Sequence, residues 1–396
     1  MNNFSQYLKN TKFFYNHNFK KEDYIYQHIL SLKGFKKAKD EISSWDNYKP
    51  TPLHCLEDLA KHTNVSKIYY KDENYRFGLK SFKALGGAYA VANLLIEKLK
   101  EKGIDADSKD LINKKYYQLT KNITVSCATD GNHGKSVAWG ANIFGCNCEI
   151  VIHAHVSQTR KKEIEKYGAK VIRVDGNYDD AVRAASDIAK ENNFFIVSDT
   201  SYKGYTKVPK DVMQGYTIMV DEAIHQMQEK PSHVFLQGGV GGMAAAVVSF
   251  FHETYGKNSP KFIIVEPNNA DCLLKSAKNS KPTIVHGDLE TIMAGLSCGE
   301  VSLLAWDILK NSVSAFLSIS DEAVPLTMKI LADNSTPIVA GESAVGGLAG
   351  FLIFINDENF KNELEINEKS KLLFFGTEGD TDSQMYKKLI GKKNNQ

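Results

Sequence analysis

The sequence predicts an α/β protein built on mostly parallel strands, and three observations carry that prediction. Seven short β-branched or aromatic runs end in Gly, Asp or Asn turns: ITVSCATDGN (123–132), CEIVIHAHV (148–156), AKVIRVDGN (169–177), FFIVSDTS (194–201), HVFLQGGVGG (233–242), FIIVEPNN (262–269) and KLLFFGTEGD (371–380). Many of them are followed by a stretch of helical periodicity, the alternation that a parallel sheet requires. The runs are continuously apolar, as strands buried on both faces are. Chemistry is then expected in the loops at their carboxyl ends.

The chain has 396 residues, enough for two or three packed units at about 150 residues each. Residues 85–205 hold three or four strand–helix units and are expected to form a smaller domain inserted into a larger one made of 1–84 and 206–396. Hydrophobic residues at 42% and charged residues at 24% exclude disordered, collagen-like and disulfide-scaffold classes. Forty-nine Lys and Arg against 47 Asp and Glu leave a charge of +2, too little for binding a phosphate backbone, so no nucleic-acid partner is expected. The amino-terminal stretch breaks its apolar residues with Lys and Asn and does not read as a signal peptide. The longest uncharged apolar stretch, 238–251, falls short of the about 20 residues a bilayer needs. With six scattered cysteines as well, the expectation is a soluble cytoplasmic protein without a membrane partner.

Five segments could carry chemistry. In GLKSFKALGGAYA (78–90), Lys83 opens a stretch of small and apolar residues that reads as a buried helix. Desolvation lowers a lysine's pKa and makes its amine a nucleophile for an aldehyde or carbonyl, although a surface lysine at a helix start would look the same. In CATDGNHGKSVAW (127–139), Thr129, Asp130, Asn132 and His133 gather at a helix start after a strand, where free N–H groups hold anions and polar atoms; Asp130 or Asn132 could equally be a helix cap. SDTSYKGY (198–205) puts Asp199 just past a strand end, and GTEGDTD (376–382) does the same for Thr377.

QGGVGGMAAA (237–246) follows a strand and opens an Ala-rich helix. Gly238, Gly239, Val240, Gly241 and Gly242 would let backbone N–H groups converge on a phosphate at the helix's positive end. The same loop fits GxGxxG/A, and Glu266 ends a strand some way on, so a nucleotide-binding module remains open on spacing alone. Cys146, Cys148, His153 and His155 form CxC and HxH pairs, but buried cysteines and strand histidines explain them, and no metal is expected.

In this order the pieces resemble the fold-type II pyridoxal phosphate enzymes, the group of threonine and serine dehydratases, cysteine synthases and tryptophan synthase β chains, over roughly residues 45–385. That resemblance implies two open twisted, mostly parallel sheets flanked by helices, with the larger domain binding the cofactor and the active site between the domains. It further implies pyridoxal 5'-phosphate held as a Schiff base by Lys83, its phosphate on Gly238–Gly242, its ring oxygen at Asn132 and its pyridine nitrogen near Thr377. A homodimer is implied as well.

Within the group, KDENYRFGLKSFKALGGAYA, ATDGNHGKSVAWGA, DTSYKGY, VPKDVMQGY, TIMAGLSCGE and GTEGDTD resemble the ammonia-lyases that act on 2,3-diaminopropionate. Relatives that deaminate serine or threonine usually carry Ser where this chain has Asp130. A carboxylate there repels a plain hydroxy amino acid and attracts a substrate with a second ammonium, with Asp199 adding negative charge and Thr129 and His133 completing the substrate contacts. The expected reaction is an α,β-elimination of 2,3-diaminopropionate to pyruvate and two ammonia, in amino-acid catabolism. Lys83 serves as base on one face and Asp130 on the other. A serine or threonine dehydratase on the same scaffold is the alternative. Cys272 and Cys298 correspond to positions flanking the active-site loop in this family, and whether they pair as a disulfide stays open.

Overall fold

The computed structural model describes residues 4–20, 24–129 and 131–391. The strands are β1 (Lys12–Tyr15), β2 (Leu53–Cys55), β3 (Lys67–Asp72), β4 (Thr124–Ala128), β5 (Asn147–Ile152), β6 (Lys170–Arg173), β7 (Phe195–Ile196), β8 (His233–Gln237), β9 (Lys261–Pro267), β10 (Ala315–Ile319) and β11 (Lys371–Gly376). They form a seven-stranded sheet in the order β1-β10-β9-β8-β11-β3-β2 and a four-stranded sheet in the order β6-β5-β4-β7. Among the strand pairs of the described residues, the two edge pairs, β1 with β10 and β2 with β3, are antiparallel and the others parallel. Each of the seven predicted runs contains a strand. The fold is α/β with two mostly parallel sheets flanked by helices.

The chain divides into two compact units. The first comprises residues 1–31, 50–75 and 219–396 and holds the larger sheet; the second comprises 32–49 and 76–218 and holds the smaller one. In the first, β8, β9, β10 and β11 are buried along their length, as strands covered on both faces must be. The Gly346–Phe354 helix is wholly buried and packs across β8, β9 and β10. Phe235 on β8 and Phe374 on β11 stack with ring centroids 5.3 Å apart.

In the second unit, the Tyr178–Asn192 helix covers β4 and β5 with Ala181, Ala185 and Ala189. Its start is fixed by a reciprocal cap, in which the Asn177 side chain accepts from Asp180 N and the Asp180 side chain accepts from Asn177 N. Among the described residues no helix is long and apolar enough to cross a membrane.

Candidate active site

Lys83 is the first residue of the Lys83–Lys100 helix in the second unit, and its backbone N–H donates to Ser81 Oγ at 3.3 Å. The helix is lined with small residues because its neighbours run close. A Cβ on Gly140, in the Asn132–Phe144 helix, would lie 2.8 Å from Ala88 Cα, and one on Gly87 would lie 2.4 Å from Ser136 Oγ. Larger side chains would push these two backbones apart. Ser136 Oγ fixes their offset by donating to Lys83 O at 2.7 Å. The amino end of one helix is thereby held beside the amino end of the other.

Asp199, in the segment after β7, meets both ends. Its Oδ2 forms an ion pair with Lys83 Nζ and lies 3.9 Å from His133 Nδ1. The structure therefore brings Lys83, His133 and Asp199 together from three separate stretches of sequence. The lysine expected from sequence to be simply desolvated is instead compensated by a carboxylate, with 20% of the Lys83 side chain and 12% of the Asp199 side chain exposed. Burial alone would raise the Asp199 pKa, but the ion pair and hydrogen bond with the Lys83 ammonium outweigh it and hold the carboxyl well below the usual range.

His133 Nε2 is 2.7 Å from Val197 O, and a carbonyl can only accept, so the proton sits on Nε2. Nδ1 then carries the lone pair, buried and without a hydrogen-bond partner. Burial pushes the His133 pKa down against the pull of Asp199 and keeps the ring neutral.

Two tyrosines that sequence reasoning did not single out complete this region. Tyr205 Oη accepts from Ser198 N at 3.0 Å and donates to Ile196 O at 2.8 Å, which fixes the turn carrying Asp199. Tyr216 packs its ring on Phe82 at 4.6 Å between centroids, and Lys83 Nζ lies 5.9 Å from the centre of the Tyr216 ring. The Tyr216 hydroxyl is buried, and burial raises its pKa against the opposing pull of Lys83. The signal for Tyr216 was present in the glycines: a Cβ on Gly86 would meet Tyr216 Cε1 at 2.4 Å, and one on Gly215 would meet Leu85 O at 2.1 Å.

Thr129 Oγ1 accepts from Gly131 N and Gly134 N, both at 3.0 Å, so this hydroxyl shapes the turn before the helix. Asn132 is half-buried in the first turn. Asp130 lies outside the described residues.

The glycine loop belongs to the first unit. Gln237 closes β8, and its Nε2 donates to Ala344 O at 2.6 Å and Phe375 O at 2.8 Å, which ties the carboxyl ends of β8 and β11 together. Gly238, Gly239 and Val240 follow, with Gly239 at φ 64° and Gly241 at φ 94°, conformations that L side chains resist. The Gly242–Tyr255 helix starts at once and has no side-chain cap. Thr377 is buried just past β11. Cys272 and Cys298 are free thiols. Cys272 Sγ is 3.6 Å from Gly239 O, and burial followed by the nearby Glu266 and Cys298 holds its pKa well above the usual thiol value.

These donors suit pyridoxal phosphate: an uncapped helix start on a glycine loop for the phosphate, and a lysine amine with a compensating carboxylate for the aldehyde. The chain matches the pyridoxal-phosphate dependent enzyme family over residues 45–374 and belongs to it. Its cofactor is pyridoxal phosphate. Among known proteins it is similar to the diaminopropionate ammonia-lyase of Escherichia coli (strain K12), with 40% identity over 372 residues, 91% of this chain and 92% of that protein. The holo form of diaminopropionate ammonia lyase from Escherichia coli superposes with a TM-score of 0.88 at 36% identity, covering 96% of both chains. The complex of that lyase with an aminoacrylate-PLP azomethine reaction intermediate gives 0.86 at 36% identity, again over 96% of both chains.

Proposed function

We propose that this enzyme carries out the pyridoxal-phosphate-dependent α,β-elimination of 2,3-diaminopropionate, consuming one water and giving pyruvate and two ammonia. It is a carbon–nitrogen lyase. The observation that carries the choice of substrate is Asp199, a mostly buried carboxylate kept ionised beside the lysine amine. Serine and threonine offer such a group no second cation, whereas the β-ammonium of diaminopropionate does. The identity to lyases named for that substrate supports the same choice.

When bound, pyridoxal phosphate supplies an aldehyde for amines and a conjugated ring that takes up the electron pair of the substrate's α-carbon. Lys83 would attach the cofactor through its amine, and the same Nζ, when free, is the group placed to accept the substrate's α-proton. Asp199 first offsets the Lys83 charge and then holds the β-nitrogen protonated until it departs as ammonia. His133, neutral and committed to Val197 through Nε2, presents only a lone pair on the Asp199 side. Gly238, Gly239, Val240, Gly241 and Gly242 hold the phosphate, Asn132 the ring oxygen and Thr377 the pyridine nitrogen. Asp130 is assigned as a second base, so that both D and L substrates are used, and it contributes with Thr129 to substrate binding. The reading extends to a cytoplasmic homodimer, in keeping with six free cysteines.

The test is the visible spectrum of the purified holoenzyme before and after addition of D- and L-2,3-diaminopropionate, with pyruvate assayed alongside. A cofactor band that shifts while pyruvate forms is expected. A band indifferent to diaminopropionate but responsive to serine would move the assignment to a dehydratase.

A further inference from the structure

Behind the glycine loop lies a carboxyl group that the reaction leaves unused. Glu266 is the penultimate residue of β9, fully buried, and β9 runs parallel to β8 with Gln237 opposite Val265. Gly238 N continues this ladder by donating to Val265 O at 2.9 Å. That register puts the Glu266 side chain over Gly238: a Cβ there would lie 2.4 Å from Glu266 Cγ and 3.2 Å from its Oε1. On its other side the carboxyl takes Leu273 N at 2.9 Å on Oε1 and Leu274 N at 2.8 Å on Oε2, from the start of the Cys272–Asn279 helix. Cys272 Sγ lies 3.7 Å from Oε1 and 3.6 Å from Gly239 O, bridging the carboxyl to the loop.

Resting on the assignment of this loop to the cofactor phosphate, we propose that Glu266 is the positioning residue of the phosphate site, bracing Gly238 directly and Gly239 through Cys272, so that the charge it carries governs how tightly a dianion is held in front of the loop. A carboxylate in this place would repel the phosphate from behind the loop, where no solvent screens it. Burial is the largest influence on Glu266; the two backbone donors only partly offset it, Asp271 adds to it, and the net effect pushes the pKa up to about 8. The other titratable groups facing it are the Cys272 thiol, whose raised pKa keeps it neutral at this pH, and, beyond that, Cys298, whose Sγ would lie 3.7 Å from a Cβ on Gly239. Asp271 is ion-paired to Lys12 at 2.8 Å and Lys275 at 3.2 Å. Glu266 is thus the group whose charge changes behind the loop near pH 8.

The experiment measures the dissociation constant of pyridoxamine 5'-phosphate, which cannot condense with Lys83, on cofactor-free protein from pH 6.5 to 9.5. Wild type is compared with Glu266→Gln. The wild-type constant relative to the variant's should rise by about tenfold across this range, since only wild type gains a charge behind the loop. Pyridoxamine without its phosphate should show no such rise. A flat ratio overturns the proposal, and so does an equal rise for pyridoxamine. Should Glu266→Gln fail to fold, the ³¹P chemical shift of wild-type holoenzyme serves instead: an inflection near pH 8 is expected, and its absence overturns the proposal. Wild type that binds pyridoxamine 5'-phosphate at no pH would overturn the phosphate-loop assignment itself, a failure distinct from a flat ratio.

Discussion

His133 Nδ1 faces the Asp199 carboxylate across 3.9 Å with its lone pair, because the ring's proton sits on Nε2, which donates it in a hydrogen bond to Val197 O. The two residues therefore meet as an acceptor and an anion. That arrangement is tolerable only while a cation, here the Lys83 ammonium, sits with them. If His133 gained a proton it would compete with Lys83 for the same oxygen. Its lowered pKa postpones that competition to pH values below the ordinary histidine value of about 6.5. The acid limb of kcat/KM for diaminopropionate should fall in this region. His133→Asn keeps a donor for Val197 but cannot titrate, so the limb should vanish while the neutral-pH rate drops no more than about tenfold, one hydrogen bond's worth. An unchanged limb in the pH–rate profile would count against the assignment.

Asp199 makes a second pH prediction, on stability. Its folded pKa is depressed, so its contribution is fully present above the unfolded value of about 3.9 and is lost as pH falls through the folded one. Thermal melts of wild type and Asp199→Asn should differ most at neutral pH and converge as the pH drops below about 4. A constant difference would mean that Asp199 acts through packing alone.

The close approach of the Lys83–Lys100 and Asn132–Phe144 helices sets a steric prediction. In Gly140→Ala the new methyl meets the Ala88 backbone, which has no rotamer to give way. A loss of about 1–3 kcal/mol is expected. Denaturant unfolding reads that loss, and kcat should fall with it because Lys83 and His133 start the two helices. A destabilised variant with wild-type kcat would separate the helix spacing from the chemistry.

Asp130 tests substrate choice from sequence alone. Asp130→Ser removes a carboxylate and restores the residue usual in serine and threonine dehydratases. KM for diaminopropionate should rise and turnover of serine should appear, both measured as pyruvate release. Unchanged kinetics with both amino acids would remove Asp130 from substrate selection.

The parallel core was legible because buried strands cannot hide their apolar runs. Four strands of the larger sheet were not: β1 and β2 at its edges, and β3 and β10 inside it. β3 reads KIYYKD, and its charges conceal a buried strand whose Lys71 spends all three donors on Glu222 at 2.7 Å, Thr51 O at 2.7 Å and Gln226 at 2.9 Å. β10 lies among serines that a pattern of apolar residues passes over. Conversely, the FFIVSDTS run supplies only a two-residue strand, since its later part turns to present Asp199. Lys83, His133 and Asp199 were visible singly, as polar residues at strand and helix ends. Their meeting followed only from the family resemblance, because it depends on glycine contacts between helices far apart in sequence. Tyr205 and Tyr216 are placed by the same long-range packing; Tyr205 left no local mark, and Tyr216 showed only through the glycines around it.

Residues 242–252 of the helix that rises from the glycine loop are all buried. A rod gripped on every side cannot swing its amino end to follow a ligand, so the direction of its dipole is set by the protein interior before any anion arrives. The anion site is in that sense an outgrowth of the hydrophobic packing. Phe251, at the far end of the helix and fully buried, touches no ligand, yet trimming it should register as weaker phosphate binding in a cofactor titration. Loading the cofactor should in turn raise the melting temperature of the larger unit, because a ligand that favours the packed helix stabilises everything packed around it.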